Sequence, residues 1–580
     1  MLIERRPTRI SDALQASLPP LLARLYGARN ITDPTELELS AGRLLPPGDL
    51  LGLSQAVELL CQMLEQQGRV LVVSDFDVDG ATSCAVVIRA LSQMGFQHLD
   101  YIVPDRFTYG YGLSPEIVDL AVERHPDLII TVDNGISSID GVDRARLAGI
   151  KVLITDHHLP PEDLPAADAI VNPNQRDCEF ASKALAGVGV AFYLMLALRA
   201  RLRETGWFEK NGLAEPRLAD LLDLVALGTV ADVVALDQNN RILVHEGLRR
   251  IRAGHACAGI LALLELSGRN RSNLQASDLG FAVAPRLNAA GRLEDMSLGI
   301  ACLLTDDPDS ARRVARQLDT INTERKRIEA DMREQALQTM NDLQAEMLSG
   351  QAALPAALCL YNPDWHQGVA GILASRVKEQ FHRPVIIFAN AGADADGNGE
   401  LKGSARSIPG LHIRDLLDSV ASRHPGLISK FGGHAMAAGL SLPESNLSAF
   451  IEAFQQAAAG QLDDAALQQK VLSDGELDID AFSLQTAELL RQAGPWGQGF
   501  PAPLFDGEFS LIDQRLVGGF HLKMIVSPDG GQTMLDAIAF NIDSNVWPDP
   551  SKRKVTLVYR LDVNEFRGQQ QLQLLVEHLL

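Results

Sequence analysis

Apolar, β-branched runs of strand length alternate with stretches of helical period through the first half of the chain. Residues 69–74 (RVLVVS), 100–103, 127–132 (DLIITV) and 151–155 (KVLIT) read as strands, and 81–94 has helical periodicity. Strands separated by helices of this length predict a parallel sheet. Residues 1–54 mix short helical pieces with Pro19-Pro20 and Pro46-Pro47-Gly48, an arm packed on a first domain that spans 55–306. The segment 307–350 is charged and lacks internal proline after Pro308, which predicts one long connecting helix. A smaller α/β domain follows over 351–465, with strands at 356–361 and 384–388 and with 403–407 and 431–434 in loops. The tail, 466–580, offers β-like runs at 509–512, 521–526, 534–539 and 555–561, two of them joined by the turn Pro528-Asp529-Gly530-Gly531. About five strands in so short a module predict an OB-like barrel. The fold class is thus α/β, a parallel-sheet domain tied by a long helix to a smaller α/β domain, with an all-β OB-like domain last.

Composition narrows the setting. A chain of 580 residues exceeds one core, so several domains are expected. The first residues, Met1-Leu2-Ile3-Glu4-Arg5-Arg6-Pro7, have no apolar core and do not read as a secretory signal. Even the apolar stretch 221–236 carries Asp223 and Asp232, so no membrane span is expected, and the cytoplasm is the default. Six cysteines without a C-x-x-C pair argue against a zinc ribbon and a disulfide framework. The net charge of −22 lowers the prior for a nucleic-acid partner without excluding one, because phosphate binding needs only a local basic track.

The placement of acids carries the chemistry. Three of the predicted parallel strands run straight into aspartate, at Asp75, Asp133 and Asp156. Ligands of open α/β sheets bind beyond the carboxyl ends of the strands, so these acids converge although they are distant in sequence. The first cluster, Asp75-Phe76-Asp77-Val78-Asp79-Gly80, places three carboxylates at alternate positions, which would repel one another unless cations intervene. An EF-hand is ruled out, because its glutamate would fall at Val86. Asp133-Asn134-Gly135 and Asp156-His157-His158 add further carboxylates and imidazole. A single strand-end aspartate is commonly a helix cap; three together are poorly explained that way. Carboxylates with one or two imidazoles and no thiolate suit Mn2+ or Mg2+, and a pair of such ions would clamp a phosphodiester.

Asp156-His157-His158, with Asp75 to Gly80 upstream, resembles the DHH phosphoesterase superfamily. Gly432-Gly433-His434-Ala435-Met436-Ala437-Ala438-Gly439 is similar to its DHHA1 companion domain. The runs from Pro285 to Arg292, Asn362 to Val369 and Gly371 to Arg376, with the β-rich tail, extend the likeness to the exonuclease branch over nearly the whole chain. The resemblance implies a 5′-to-3′ exonuclease that degrades single-stranded DNA to 5′-mononucleotides in recombination and repair. It implies two divalent ions held by Asp77, Asp79, Asp133, His157 and Asp232, with Asp133 bridging. Asp75 is then a ligand or an acid behind the ligands. His158, unable to point with His157 from an extended segment, would contact the scissile phosphate or assist the leaving oxygen. Val78 departs from the usual alanine.

For holding DNA, Arg286, Asn288 and Arg292, expected in a loop, are candidates for the phosphate beside the metals. Gly432, Gly433 and His434 would present amides and an imidazole to a phosphate, with Arg376, Lys402 and Arg406 adding charge. In the tail, Arg515, Phe520, His521, Lys523, Arg560 and Arg567 offer a basic and aromatic mixture for stacking bases. The resemblance further implies a single-stranded DNA-binding protein and a helicase as partners, and a monomer is expected. Three rival readings are a DHH enzyme acting on nanoRNA or cyclic dinucleotides, which would need no β-rich tail; a non-catalytic replication factor, which would not need the intact acids; and a pyrophosphatase, disfavoured by the chain's size and its tail.

Overall fold

The computed structural model describes all residues except 106–107, 349–354, 394–398, 464, 544–545 and 567, and all side chains but those and 341–348, 393 and 566. The chain forms two compact units, one comprising Arg5–Asp319 with Leu472–Leu580, the other Met1–Glu4 with Thr320–Val471.

In the first unit, β1 (Val70–Ser74), β2 (Leu99–Ile102), β3 (Leu128–Val132), β4 (Lys151–Thr155) and β5 (Ala169–Val171) form a parallel sheet in the order β2-β1-β3-β4-β5. Every residue of β1 and β3 is buried, as continuous apolar runs in a covered parallel sheet require. The register pairs Ser74 with Val132, Val132 with Thr155 and Thr155 with Val171, so the strands end level. Helices α1 (Val78–Met94), α2 (Gly187–Glu204), α3 (Leu222–Ala231) and α4 (Gln238–Ala253) supply the core beside the sheet. The apolar residues of α3 surround it on all sides, and Leu222 through Thr229 are all buried.

Arg286, Asn288 and Arg292 do not lie in a loop. They sit on α5 (Ala284–Leu293), which follows a single π turn at Leu279–Val283. Pro285 stands directly after the π turn in a continuous helical run, where the irregular turn accommodates a residue without an N–H. Gly291 is required by packing: a Cβ there would come 2.0 Å from the carbonyl oxygen of Phe76. The connecting helix is present as α6 (Pro308–Leu348), 41 residues long.

The second unit contains β6 (Leu358–Tyr361), β7 (Val385–Ala393), β8 (Gly399–Arg406), β9 (Lys430–Gly433) and β10 (Ala437–Pro443), ordered β9-β10-β8-β7-β6. Only β6 and β7 run parallel. Between β6 and β7 lies α7 (Gln367–Phe381). The segments expected as loops at 403–407 and 431–434 are therefore largely strand. Gly403 is small because a Cβ would meet Leu440 Cδ2 at 2.5 Å and Phe388 Cε1 at 2.7 Å, so glycine there marks crowding within a sheet.

The tail folds as a closed barrel of β11 (Phe505–Val517), β12 (His521–Ser527), β13 (Leu535–Ala539), β14 (Lys554–Phe566) and β15 (Gln569–Leu579), in the order β11-β12-β13-β15-β14. Strand β15 has no counterpart among the runs read from sequence, because three glutamines open it. The barrel shares one hydrophobic core with the sheet domain and with Leu14, Leu22, Leu25 and Tyr26 of the N-terminal arm. All six cysteines are free thiols. Among the described residues no helix is long and apolar enough to cross a membrane.

Candidate metal centre and nucleic-acid contacts

Because the strands end level, Asp75, Asp133 and Asp156 stand side by side, each amide donating to the last carbonyl of the neighbouring strand, Val132, Thr155 and Val171 respectively. Asp133 takes a left-handed backbone, φ 62°, which turns the chain sharply at the strand end. Asp77 caps α1, its Oδ1 accepting from the amides of Asp79 and Gly80 at 2.8 and 3.2 Å. Gly80 is needed at that turn, since a Cβ would lie 2.5 Å from the carbonyl oxygen of Asp75. Asp79, in the first turn of α1, accepts from the amides of Gly187 (2.7 Å) and Val188 (2.9 Å) at the start of α2. Asp232 caps the C-terminal end of α3 and is followed by Val233 at φ 63°, a strained setting for a β-branched residue.

Three sets of side chains bring candidate ligand atoms within 4.8 Å of one another: Asp75, Asp77 and Asp133; Asp79, His157 and Asp232; and Asp133, His157 and His158. His157 Nε2 faces Asp232 Oδ2 at 3.5 Å. The structure thus gathers every expected ligand and also Asp75. It differs from expectation at His158, whose ring centroid is only 4.5 Å from that of His157. The reason is local: Asp156 Oδ1 accepts from both the His157 amide (2.7 Å) and the His158 amide (3.0 Å), curling the segment so that both rings fall on one side.

Asp156 is fully buried and serves the histidines rather than the cluster. Its Oδ1 lies 2.7 Å from His158 Nδ1, and its Oδ2 accepts from the Ile136 amide at 2.9 Å. Burial alone would lower the His158 pKa, but the bond to Asp156 and the surrounding acids raise it to about 9. Tyr111 is not nominated by sequence; its hydroxyl donates to the Asp133 carbonyl at 3.1 Å and lies 3.1 Å from His158 Nδ1. Flanking glycines are its only signal, and they do not point to a site.

The residues fit divalent cations. Asp133 Oδ1 and Asp232 Oδ2 are buried and accept no hydrogen bond among the described residues. Burial and the neighbouring carboxylates Asp79 and Asp77 push Asp133 well above the usual carboxylate range, and burial with Asp232 and Asp77 does the same to Asp79. Burial and Asp77 raise Asp232 to about 7. Such mutual repulsion is relieved by a cation bound between the acids. Oxygen-rich ligands with imidazole and no thiolate match Mn2+ or Mg2+.

Around the cluster, Asn288 Oδ1 accepts from the Val78 amide at 3.1 Å and so fixes the loop bearing Asp77. Arg286 donates through Nε to Asp319 at 2.8 Å. Arg292 lies in the last turn of α5. In the second unit, Arg376 pairs with Glu329 (3.3 Å) and Glu379 (3.5 Å) on the surface of α7. Arg406 Nε donates to Ser375 Oγ at 3.2 Å, and Lys402 shares its strand, β8. Gly432, Gly433 and His434 are exposed at the β9–β10 hairpin; a Cβ on Gly432 would meet nothing within 4 Å, so its backbone is open to a ligand. Gly433 adopts φ 141°, and a Cβ there would strike the Ala437 carbonyl at 2.5 Å.

On the barrel, Arg515 and Lys523 are cross-strand partners, and Lys523 pairs with Asp536 at 3.6 Å. Arg560 pairs with Glu577 at 3.2 Å, and Arg567 lies outside the described residues. Exposed Phe520 packs edge-on to His521, which packs edge-on to exposed Phe540. Phe540 sits just beyond β13 and escapes sequence reasoning because no pattern links it to Phe520.

Comparison with known proteins agrees with this anatomy. Residues 69–229 match the DHH family N-terminal domain, 354–460 the DHHA1 domain, and 473–578 the RecJ OB domain. The chain is 57% identical over 577 residues to the single-stranded-DNA-specific exonuclease RecJ of Dickeya dadantii, covering 100% of this chain and 98% of that one. It is 54% identical to the protein of the same name from Escherichia coli, with the same coverage. Among solved structures, RecJ of Thermus thermophilus in complex with Mn2+ is similar with a TM-score of 0.77 and 30% identity, over 98% of this chain and 76% of that one. The Mg2+ complex of the same protein is similar with a TM-score of 0.72 and 28% identity, over 98% and 75%.

Proposed function

The chain belongs to the RecJ family of single-stranded-DNA-specific exonucleases, and from that premise we propose how its residues carry out the reaction. It is a metal-dependent exonuclease acting on single-stranded DNA. The reading finer than that assigns two divalent ions to Asp75, Asp77, Asp79, Asp133, His157 and Asp232, with Asp133 shared, and degradation from the 5′ end to 5′-mononucleotides. The observation that supports it is the level ending of β1, β3 and β4, which sets acids from separate segments around one small volume.

When bound, the ions supply Lewis acidity and lower the pKa of water near the phosphate. The chain's own work is positional. The α2 amides of Gly187 and Val188 hold Asp79 in place, and Asn288 holds the loop before α1. Asp156 orients His158 and keeps its ring basic, so His158 can hold a proton for the departing 3′ oxygen. Arg286 and Arg292 are assigned to the phosphates flanking the cut. In the second unit, Gly432, Gly433 and His434, with Arg376, Lys402 and Arg406, are assigned to phosphates of the strand. On the barrel, Arg515, Lys523 and Phe520 are assigned to backbone and bases. A cytoplasmic monomer working beside a single-stranded DNA-binding protein and a helicase suits this role.

The test uses long single-stranded DNA labelled at either end, with Mn2+, beside a matched duplex and a dinucleotide. Immediate release of labelled mononucleotide from the 5′-labelled strand, with late release from the 3′-labelled one, is expected. Equal loss of both labels would sink the polarity, and preference for the dinucleotide would revive the small-substrate reading. Asp79→Ala as active as the parent would remove the metal assignment.

A further inference from the structure

Away from the metal cluster, the N-terminal arm, α4 and the segment leading into the barrel enclose a cavity of about 380 Å³. Tyr26, Arg241, His245, Glu246, Gln492 and Phe500 are among its walls, and none of them belongs to the acidic cluster. Arg241 is the anomaly. It is only 4% exposed, its guanidinium lies over the Phe500 ring at 4.3 Å, and its Nη2 donates to the Glu36 carbonyl at 3.2 Å. Its Nε is buried without an acceptor, and among the described residues no carboxylate lies within ion-pair range of it. Arg29, equally buried in the same unit, shows what the fold normally provides: both oxygens of Asp474 at 3.0 Å.

The acids near Arg241 are committed elsewhere. Glu36 Oε1 takes the amides of Thr32 (2.9 Å) and Asp33 (3.0 Å), Asp237 takes the Ser182 hydroxyl and the Asn240 amide, and Glu246 pairs with Arg249. A buried guanidinium without a counter-ion is costly, and a planar fork of donors suits an oxyanion. His245, one turn along α4, lines the same cavity as a second donor.

We propose that this cavity binds a small oxyanion of the phosphate class, seated on Arg241 and His245. The anion ties the arm, α4 and the barrel lead-in together; this does not rest on the exonuclease reading. Inorganic phosphate and a 5′-mononucleotide share the chemistry, so both are probes.

Binding to the full chain is followed by calorimetry and 31P NMR in EDTA, which removes phosphate bridged through metal. Saturable binding of inorganic phosphate is expected, weakened about tenfold in Arg241→Gln and a few-fold in His245→Ala, and unchanged in Arg203→Gln, a surface variant remote from the cavity and from the DNA contacts. Tighter binding of the mononucleotide, lost with the same variants, assigns the anion as reaction product; equal or weaker binding assigns free phosphate. No saturable binding by the parent protein overturns the proposal whatever the variants do. So does undiminished binding in folded Arg241→Gln or, should that variant fail to fold, in His245→Ala.

Discussion

The Nε2 atom of His157 stands 3.2 Å from Oδ1 of Asp133, one residue past the end of β4 and the other past the end of β3. The two meet because adjacent parallel strands stop at the same level, which brings both atoms to where one cation would take them together as ligands. Asp133→Asn keeps the shape and removes the charge. We expect it to lose single-strand exonuclease activity by more than about a hundredfold, the upper range for residues that merely support a ligand. Mn2+ is expected to raise the parent's melting temperature, and this variant should lose that shift. A variant that still cuts and is still stabilised by Mn2+ would contradict the shared-ligand role.

Asp156 tests the positioning of His158 separately from the metals. Its carboxylate accepts from His158 Nδ1 and from three amides, so Asp156→Asn replaces an acceptor with a donor at the ring. The expected outcome is a fall in kcat of about ten- to a hundredfold, with a smaller change in the Mn2+ concentration needed for half activity. If the metal requirement rose as much as kcat fell, Asp156 would be acting through the ligands instead. Tyr111→Phe, which removes the hydroxyl at 3.1 Å from His158, should give a milder loss in the same direction.

Strand-end aspartates are legible because β-branched runs stop abruptly at Asp75, Asp133 and Asp156, and period alone marks those stops. Asp232 is not, since it ends a helix that is apolar on all sides and offers no edge to read. His158 departs from its expected direction because Asp156 Oδ1 accepts from the next two backbone amides, a local side-chain turn that alternation rules for an extended segment do not capture. Glycine misleads twice in the same sense: Gly291 and Gly403 read as loop signals, yet each is small because a neighbour occupies the Cβ position within regular structure. Gly432 is open to a ligand as its sequence suggests, but it and Gly433 form the end of a strand rather than a free loop.

Phe520 and Phe540 are both about half exposed and meet His521 from two sides, which leaves apolar ring surface on the barrel open to a base. Base stacking is worth about 1–3 kcal/mol per base. Phe520→Ala with Phe540→Ala should therefore weaken binding of a long single strand by roughly thirtyfold or more. Turnover of an oligonucleotide too short to reach the barrel should be unaffected. Equal losses on long and short substrates would place these rings in folding instead.

The N-terminal arm is held to the segment leading into the barrel through a buried ion pair. Arg29 and Asp474 are each only 1% exposed at the side chain and meet through two bonds of 3.0 Å. Arg29 also donates to the Leu25 and Pro501 carbonyls, while Asp474 Oδ2 accepts from the Leu504 amide at 2.9 Å. Arg29→Ala leaves the buried Asp474 carboxylate with only the longer 3.8 Å contact to Arg6, so it should cost up to about 3–5 kcal/mol. Urea unfolding followed by tryptophan fluorescence reads this directly, because the Arg29 guanidinium lies 5.1 Å from the Trp496 ring. Replacing both charges, Arg29→Met with Asp474→Leu, should recover part of the loss, since an apolar pair leaves no buried carboxylate without its guanidinium and frees only the partly exposed Arg6. Failure of the double variant to exceed the single one would show that the carbonyl bonds, and not the ion pair, carry the junction.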